Sequence, residues 1–192
     1  FWLALGIISQ GWVLAEQGQV EEGIAQMRHG MVVSRATGTE LTMSFVLARL
    51  AKAYGRIGRA EEGLSVLAEA LDHVERTEER IFEAELYRLK GELTLQKLSV
   101  ISSQFSGTDP RSLNPDLQAE AAACFLKAIA IAQKQQAKSL ELRAATSLAR
   151  LWQSQGKKKE AHKLLSEIYG WFTEGFDTKD LQEAQALIEE LS

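Results

Sequence analysis

The sequence predicts an all-α, right-handed solenoid of helical hairpins: four helix pairs followed by a C-terminal capping helix. Three observations predict it. Alanine, leucine and glutamate, all strong helix formers, supply 72 of the 192 residues, and only two prolines occur. Apolar residues recur at three- and four-residue spacing, as in Leu47, Leu50, Ala51 and Tyr54, and again in Leu64, Leu67, Ala68 and Leu71. Finally, the run Gln17-Gly18-Gln19-Val20-Glu21-Glu22-Gly23 returns 40 residues later as Ile57-Gly58-Arg59-Ala60-Glu61-Glu62-Gly63. The modest β-branched and aromatic content disfavours a β-sandwich, and the composition excludes collagen-like, disulfide-scaffold and disordered classes.

Taken in order, helices are expected at 2–17 and 20–36, forming a first repeat over 1–38. Gly18 ends the first helix, because a left-handed residue terminates a helix at least cost when it is glycine. Glu21 and Glu22 then fall in the first turn of the next helix, at the positive end of its dipole. Helices 40–57 and 60–76 repeat this punctuation with Gly58, Glu61 and Glu62, giving a repeat over 39–78. A further copy of the turn, Gln155-Gly156-Lys157-Lys158-Lys159-Glu160-Ala161, lies 98 residues beyond Gly58, which is two periods plus 18 residues. The extra residues are placed at 99–116, where five serines, Gly107, Pro110 and Pro115 give loop composition. The third pair is therefore 79–98 and 117–135, in a repeat over 79–136 with that insertion. The fourth is 138–155 and 158–173, in a repeat over 137–175. A last helix at 178–191, capped by Asp177 or Thr178, has an apolar stripe of Leu181, Ala184, Leu187, Ile188 and Leu191. Its outer face carries Glu183, Glu189 and Glu190, as the end of a solenoid requires. One helical-repeat domain spans 1–192.

Two registers of small residues explain how the helices pair. Gly11, Ala51, Gly91 and Ala149 hold one; Gly23, Gly63, Ala121 and Ala161 hold the other. Met27, Leu67, Phe125 and Leu165 follow one turn later and fill the space that the small residues leave. Position for position this resembles the tetratricopeptide repeat: small at the eighth position, large or aromatic at the eleventh, then small, large and small. Leu14, Tyr54 and Trp152 suit the eleventh position, while Thr94 departs from it. No proline closes a repeat, and the unit is 40 residues rather than the family's roughly 34.

Two segments resemble something narrower. They are Ala137-Lys138-Ser139-Leu140-Glu141-Leu142-Arg143-Ala144-Ala145-Thr146-Ser147-Leu148-Ala149-Arg150-Leu151-Trp152, and the aromatic run from Tyr169 through Trp171, Phe172 and Phe176 to Leu181. Both are similar to the C-terminal repeat region of large bacterial signalling proteins. In those, a class III adenylate/guanylate cyclase or another module precedes a predicted NTPase domain. The resemblance implies a terminal repeat array, and it moves neither cyclase nor ATPase activity onto this chain. A start at Phe1-Trp2, without initiator methionine, basic n-region or cleavage site, reads as a piece of a longer protein rather than a signal peptide.

The chemistry that would make an enzyme is missing from the sequence. Gly156-Lys157 is followed by Lys158 and has no upstream glycine, so it is not a phosphate-binding loop. His29, His73 and His162 have no metal-ligand partner at helical or finger spacing, and they are expected to be solvated or partly buried. Cys124, between Ala123 and Phe125, reads as a small buried hydrophobe without a neighbouring base. No catalytic residue, metal site or cofactor is expected. The single cysteine excludes an internal disulfide and fits a reducing, cytoplasmic setting. A net charge of −4 argues against a nucleic-acid partner, and no apolar run approaches the roughly 18 residues that span a membrane.

What remains is surface. The tetratricopeptide resemblance implies that the first helices line a concave groove, with Lys52, Arg56, Arg88, Arg143 and Arg150 as its candidate binding cations. Arginine grips a carboxylate with both arms, so an acidic peptide or protein partner is expected, or other domains of the same chain. Trp12 is expected to pack against a preceding repeat rather than to anchor a ligand. The apolar start (Phe1, Trp2, Leu5, Ile8) is expected to promote self-association. The leading reading is a non-catalytic interaction and regulatory module of a bacterial signalling protein. The alternatives are a sensor binding a small effector in the groove and, from another class, a fragment of an enzyme.

Overall fold

The computed structural model describes residues 2–36, 38, 42–104 and 115–192, apart from the side chains of 100–104. Among these residues the regular structure is entirely helical: α1 (Trp2–Glu16), α2 (Val20–Ala36), α3 (Met43–Arg56), α4 (Ala60–Thr77), α5 (Glu83–Gln104), α6 (Pro115–Lys134), α7 (Lys138–Ser154), α8 (Lys158–Tyr169) and α9 (Lys179–Leu191). The chain divides into two compact units, Phe1–Leu89 and Lys90–Ser192. In the first, α1 pairs with α2 and α3 with α4, and α3 also packs on α2 and α1. In the second, α7 packs on α6 and α8, and α9 lies against both α7 and α8.

Three turns between paired helices share one geometry. Gly18, Gly58 and Gly156 have φ of 95°, 74° and 78°. The amide after each glycine donates back to Leu14, Tyr54 or Trp152, the large residue of the repeat pattern, at 2.9–3.0 Å. This is the Schellman arrangement. Gln136 takes the same left-handed conformation between α6 and α7 without being glycine.

The small-residue registers are where helix backbones meet. A Cβ built on Gly23 would lie 2.5 Å from the Gly11 carbonyl oxygen and 2.7 Å from the Ala15 amide nitrogen; one on Gly11 would lie 2.7 Å from the Met27 nitrogen. In the third pair the obstacle is a side chain: a Cβ on Gly91 would lie 2.5 Å from the Phe125 ring. Met27, Leu67, Phe125 and Leu165 are completely buried, as the pattern requires.

Some boundaries differ from expectation. The segment expected as a loop over 99–116 is shorter, because α5 continues to Gln104 and α6 starts at Pro115. Ser99 turns its hydroxyl back to the Gln96 carbonyl within the helix, which lets a serine sit there. Pro115 occupies the first helical position, where its missing N–H costs nothing. The rest of that insertion, 105–114, lies outside the described residues. α5 begins at Glu83, not at 79, and α8 ends at Tyr169, short of 173. Thr178 is the residue before α9, but its hydroxyl donates to the Gly175 carbonyl and caps nothing.

Two glycines in one hairpin separate packing from intrinsic helix preference. Gly6 in α1 has nothing within 4 Å of the position that a Cβ would take, so Gly6→Ala should stabilise by about 0.5–1 kcal/mol. Gly23→Ala should destabilise by about 1–3 kcal/mol, because the methyl forces two backbones apart. Urea unfolding of both variants checks this, and equal effects would contradict the close approach.

Candidate functional site

Successive first helices lie side by side within each unit and pair residues 37 apart, one turn less than the repeat. Arg49 of α3 lies over Trp12 of α1, and Phe45 stacks on Phe82 with ring centroids 4.7 Å apart. In the second unit Arg143 and Gln153 of α7 reach Asp180 and Glu190 of α9. Ser147 reaches Glu92 of α5, 55 residues away, which is the same spacing plus the 18-residue insertion.

In the first unit this pairing collects charge and aromatic surface. Phe45, Arg49, Lys52 and Arg56 recur at four-, three- and four-residue steps along one face of α3. The Arg49 guanidinium carbon is 3.5 Å from the centre of the Trp12 ring and 4.1 Å from that of Phe45. Its Nε and Nη1 are buried without a hydrogen-bond partner. Burial pulls its pKa below the usual arginine value, with the Glu16 charge acting in the opposite sense.

Glu16, at the end of α1, closes the cluster. Its carboxylate lies 3.4 Å from Lys52 Nζ and 3.1 Å from Arg56 Nη1, and Trp12 Nε1 donates to it at 3.3 Å. Partial burial pushes the Glu16 pKa up, but Lys52 and Arg56, helped by the hydrogen bonds from Lys52 and Trp12, bring it below the usual carboxylate value. Two cations and an indole N–H thus converge on one carboxylate of the same chain.

The five cations expected to line a groove are placed in three settings. Lys52 and Arg56 share Glu16. Arg88 grips Glu85 with two hydrogen bonds of 2.7 and 2.8 Å, one turn away on α5. Arg143 and Arg150 bind Asp180 at 2.6 Å and Glu183 at 3.0 Å, so in this structure they hold α9 against α7. Glu183 and Glu190 accordingly face α7 rather than the outside of the last helix. Trp12 faces α3, half-buried under Arg49, a contact that the sequence reading did not include. Arg49 itself is legible in the sequence only as one more arginine of α3. Its pairing with Trp12 needs the 37-residue offset, which the repeat alone does not reveal.

Of the other residues weighed, Cys124 is buried, and that burial raises its thiol pKa. His73 is buried beside Glu79, at 3.4 Å, and Arg76, at 3.3 Å. Among the described residues no group of three His, Cys, Asp or Glu side chains is placed to hold a metal, and no helix is long and apolar enough to cross a membrane. At the start of the chain Trp2 and Leu3 are exposed, whereas Ile8 is buried over Gly30 of α2 and Leu5 is half-buried. Phe1 lies outside the described residues.

No protein-family model and no curated protein matches the sequence. Solved structures do. The chain aligns over 97% of its length with nearly identical TPR-like repeats from Podosopora anserina, described as kinesin light chain, at a TM-score of 0.66 and 16% identity, covering 83% of that chain. A single-substitution variant of that protein aligns at a TM-score of 0.64 and 17% identity, over 97% of this chain and 91% of that one. The fold is therefore that of a TPR-like helical repeat.

The α7–α9 contact has a pH signature. The hydrogen bond from Arg150 is the main cause that lowers the Glu183 pKa, against an upward push from burial, with the charges of Arg150 and Lys179 adding to it. A depressed carboxylate contributes stability that is present above its unfolded value and lost as the pH falls through its folded one. Both side chains are half-exposed, so the contribution is about 0.5 kcal/mol or less. Glu183→Gln should unfold slightly more easily than the wild type near neutral pH, and the difference should shrink as the pH falls through the folded-state value. A difference that persists unchanged in acid would show that the charge is not the cause.

Proposed function

We propose that this chain is a non-catalytic protein-interaction module, and that the α3 face of its first unit receives an acidic segment of a partner protein. The observation that carries the reading is the position of Glu16. Two cations of α3 and the Trp12 indole already converge on a carboxylate, at 3.1–3.4 Å, so the surface is preorganised for another of the same kind. Arg49 adds a third positive charge beside two aromatic faces that can pack on the partner's apolar side chains. Lys52 and Arg56 are the groove cations assigned to binding. Lys52 and Arg56 would exchange Glu16 for the partner's carboxylate, and Arg88, Arg143 and Arg150 would likewise join only after giving up the carboxylate of this chain that each now holds.

The narrower setting rests on the resemblance of the 137–152 and 169–181 segments. In that reading the module works in the cytoplasm as the C-terminal part of a bacterial signalling protein, and it regulates a cyclase or NTPase domain elsewhere in the same polypeptide. Exposed Trp2 and Leu3 on α1 give the isolated chain a surface for self-association.

Fluorescence anisotropy with a labelled peptide alternating Asp/Glu with aromatic residues tests the binding site. Binding should weaken by about tenfold or more in Lys52→Glu/Arg56→Glu, and should fall with added salt as partly exposed charge pairs do. Lys158→Glu, on α8 in the other unit, should leave it unchanged. A peptide with Gln in place of every acid that bound equally well would remove the basis of the assignment.

A further inference from the structure

The second unit contains an open cleft of about 390 Å³ between α5, α6 and α7. Among the described residues, Leu95 and Leu98 of α5, Phe125 of α6 and Leu151 of α7 form its apolar wall, with Glu92, Ser147 and Arg150, and also Ser99, Gln118 and Ser154, supplying the polar lining. The repeat register explains why space opens here. Glu92 stands two periods beyond Trp12, and Ser147 stands 98 residues beyond Arg49, the same distance that separates Gly58 from Gly156. In the first unit these two positions, on adjacent first helices, are filled by an indole with a guanidinium stacked on it. In the second they hold a carboxylate and a hydroxyl that bond to each other at 3.1 Å. Two large side chains have been exchanged for two short ones, while the surrounding leucines and Phe125 keep the wall apolar.

We infer that this cleft binds a neutral, largely apolar small molecule of about fused-bicyclic size, with one hydrogen-bonding group directed at Ser147 and Glu92. The volume falls within the roughly 300–1,000 Å³ of small-molecule sites, which are mostly apolar with a few placed polar groups. Neutrality follows from the rim. Glu92 and Arg150 bring opposite charges to the same opening, so an ion would be attracted by one and repelled by the other. The inference concerns the second unit alone and does not depend on an acidic partner for the first.

N-phenylnaphthylamine, a neutral apolar fluorophore of suitable size, is the probe. Titration into the wild-type chain should give saturable fluorescence with a Kd of roughly tens to hundreds of micromolar, the scale expected for a ligand of that size. The double variant Glu92→Trp/Ser147→Arg, which copies the filling of the first unit, should weaken binding by about tenfold or more and keep its helical circular dichroism. Ser147→Met is a smaller filling that serves if the double variant does not fold, and it should also weaken the probe. Amide chemical-shift changes should centre on Leu95, Ser147 and Leu151. An absence of saturable binding by the wild type, or equal binding by a folded filled variant, would overturn the site.

Discussion

In the first helix pair α1 and α2 approach until backbone touches backbone, and that closeness fixes where everything else in the pair can go. Gly11 and Gly23 face each other at a separation that leaves no room for a methyl group. One turn later a fully buried large residue fills the widening gap, as Met27 does in α2 and Phe125 does in α6. A small residue without the large one would leave a void, and a large one without the small would wedge the pair open. The alternation therefore fixes the rotation of each helix about its own axis. Once that rotation is fixed, the residues that face the neighbouring first helix are fixed as well.

Those residues meet 37 positions apart, and the same register is put to three different uses. On α1 and α3 it holds a cation stacked on aromatic rings beside a bridged carboxylate. On α5 and α7 it holds a short polar pair and leaves a cleft. On α7 and α9 it holds ion pairs that fasten the last helix. The backbone arrangement does not choose among these; side-chain volume and charge do. A repeat architecture thus offers several chemically distinct surfaces without altering the packing beneath them.

Arg49 shows the tension at such a surface. Two of its buried nitrogens lack partners, which costs roughly 1–3 kcal/mol per group in ordinary cases. Stacking on two aromatic rings returns about 0.5–2 kcal/mol or more as the site becomes desolvated. Packing alone therefore gives little reason to prefer arginine there over an apolar side chain of equal length.

The chain's linear pattern was sufficient for the helices, their pairing, the glycine turns and the small-large registers, because all of these depend on local preferences and on a short repeat. It also placed Lys52 and Arg56 on a common face. It misjudged residues whose role depends on a neighbour far along the chain. Ser99 and Pro115 carry loop composition yet sit in helices, because a back-bonded hydroxyl and a first-turn proline are compatible with helix. Nor does the linear pattern show that Trp12 lies under Arg49, or that Arg143 and Arg150 pair with Asp180 and Glu183 of α9. Side-by-side packing of helices brings those pairs together 37 or 33 residues apart, one or two turns out of step with the repeat, and that offset arises only when whole helices are laid against each other.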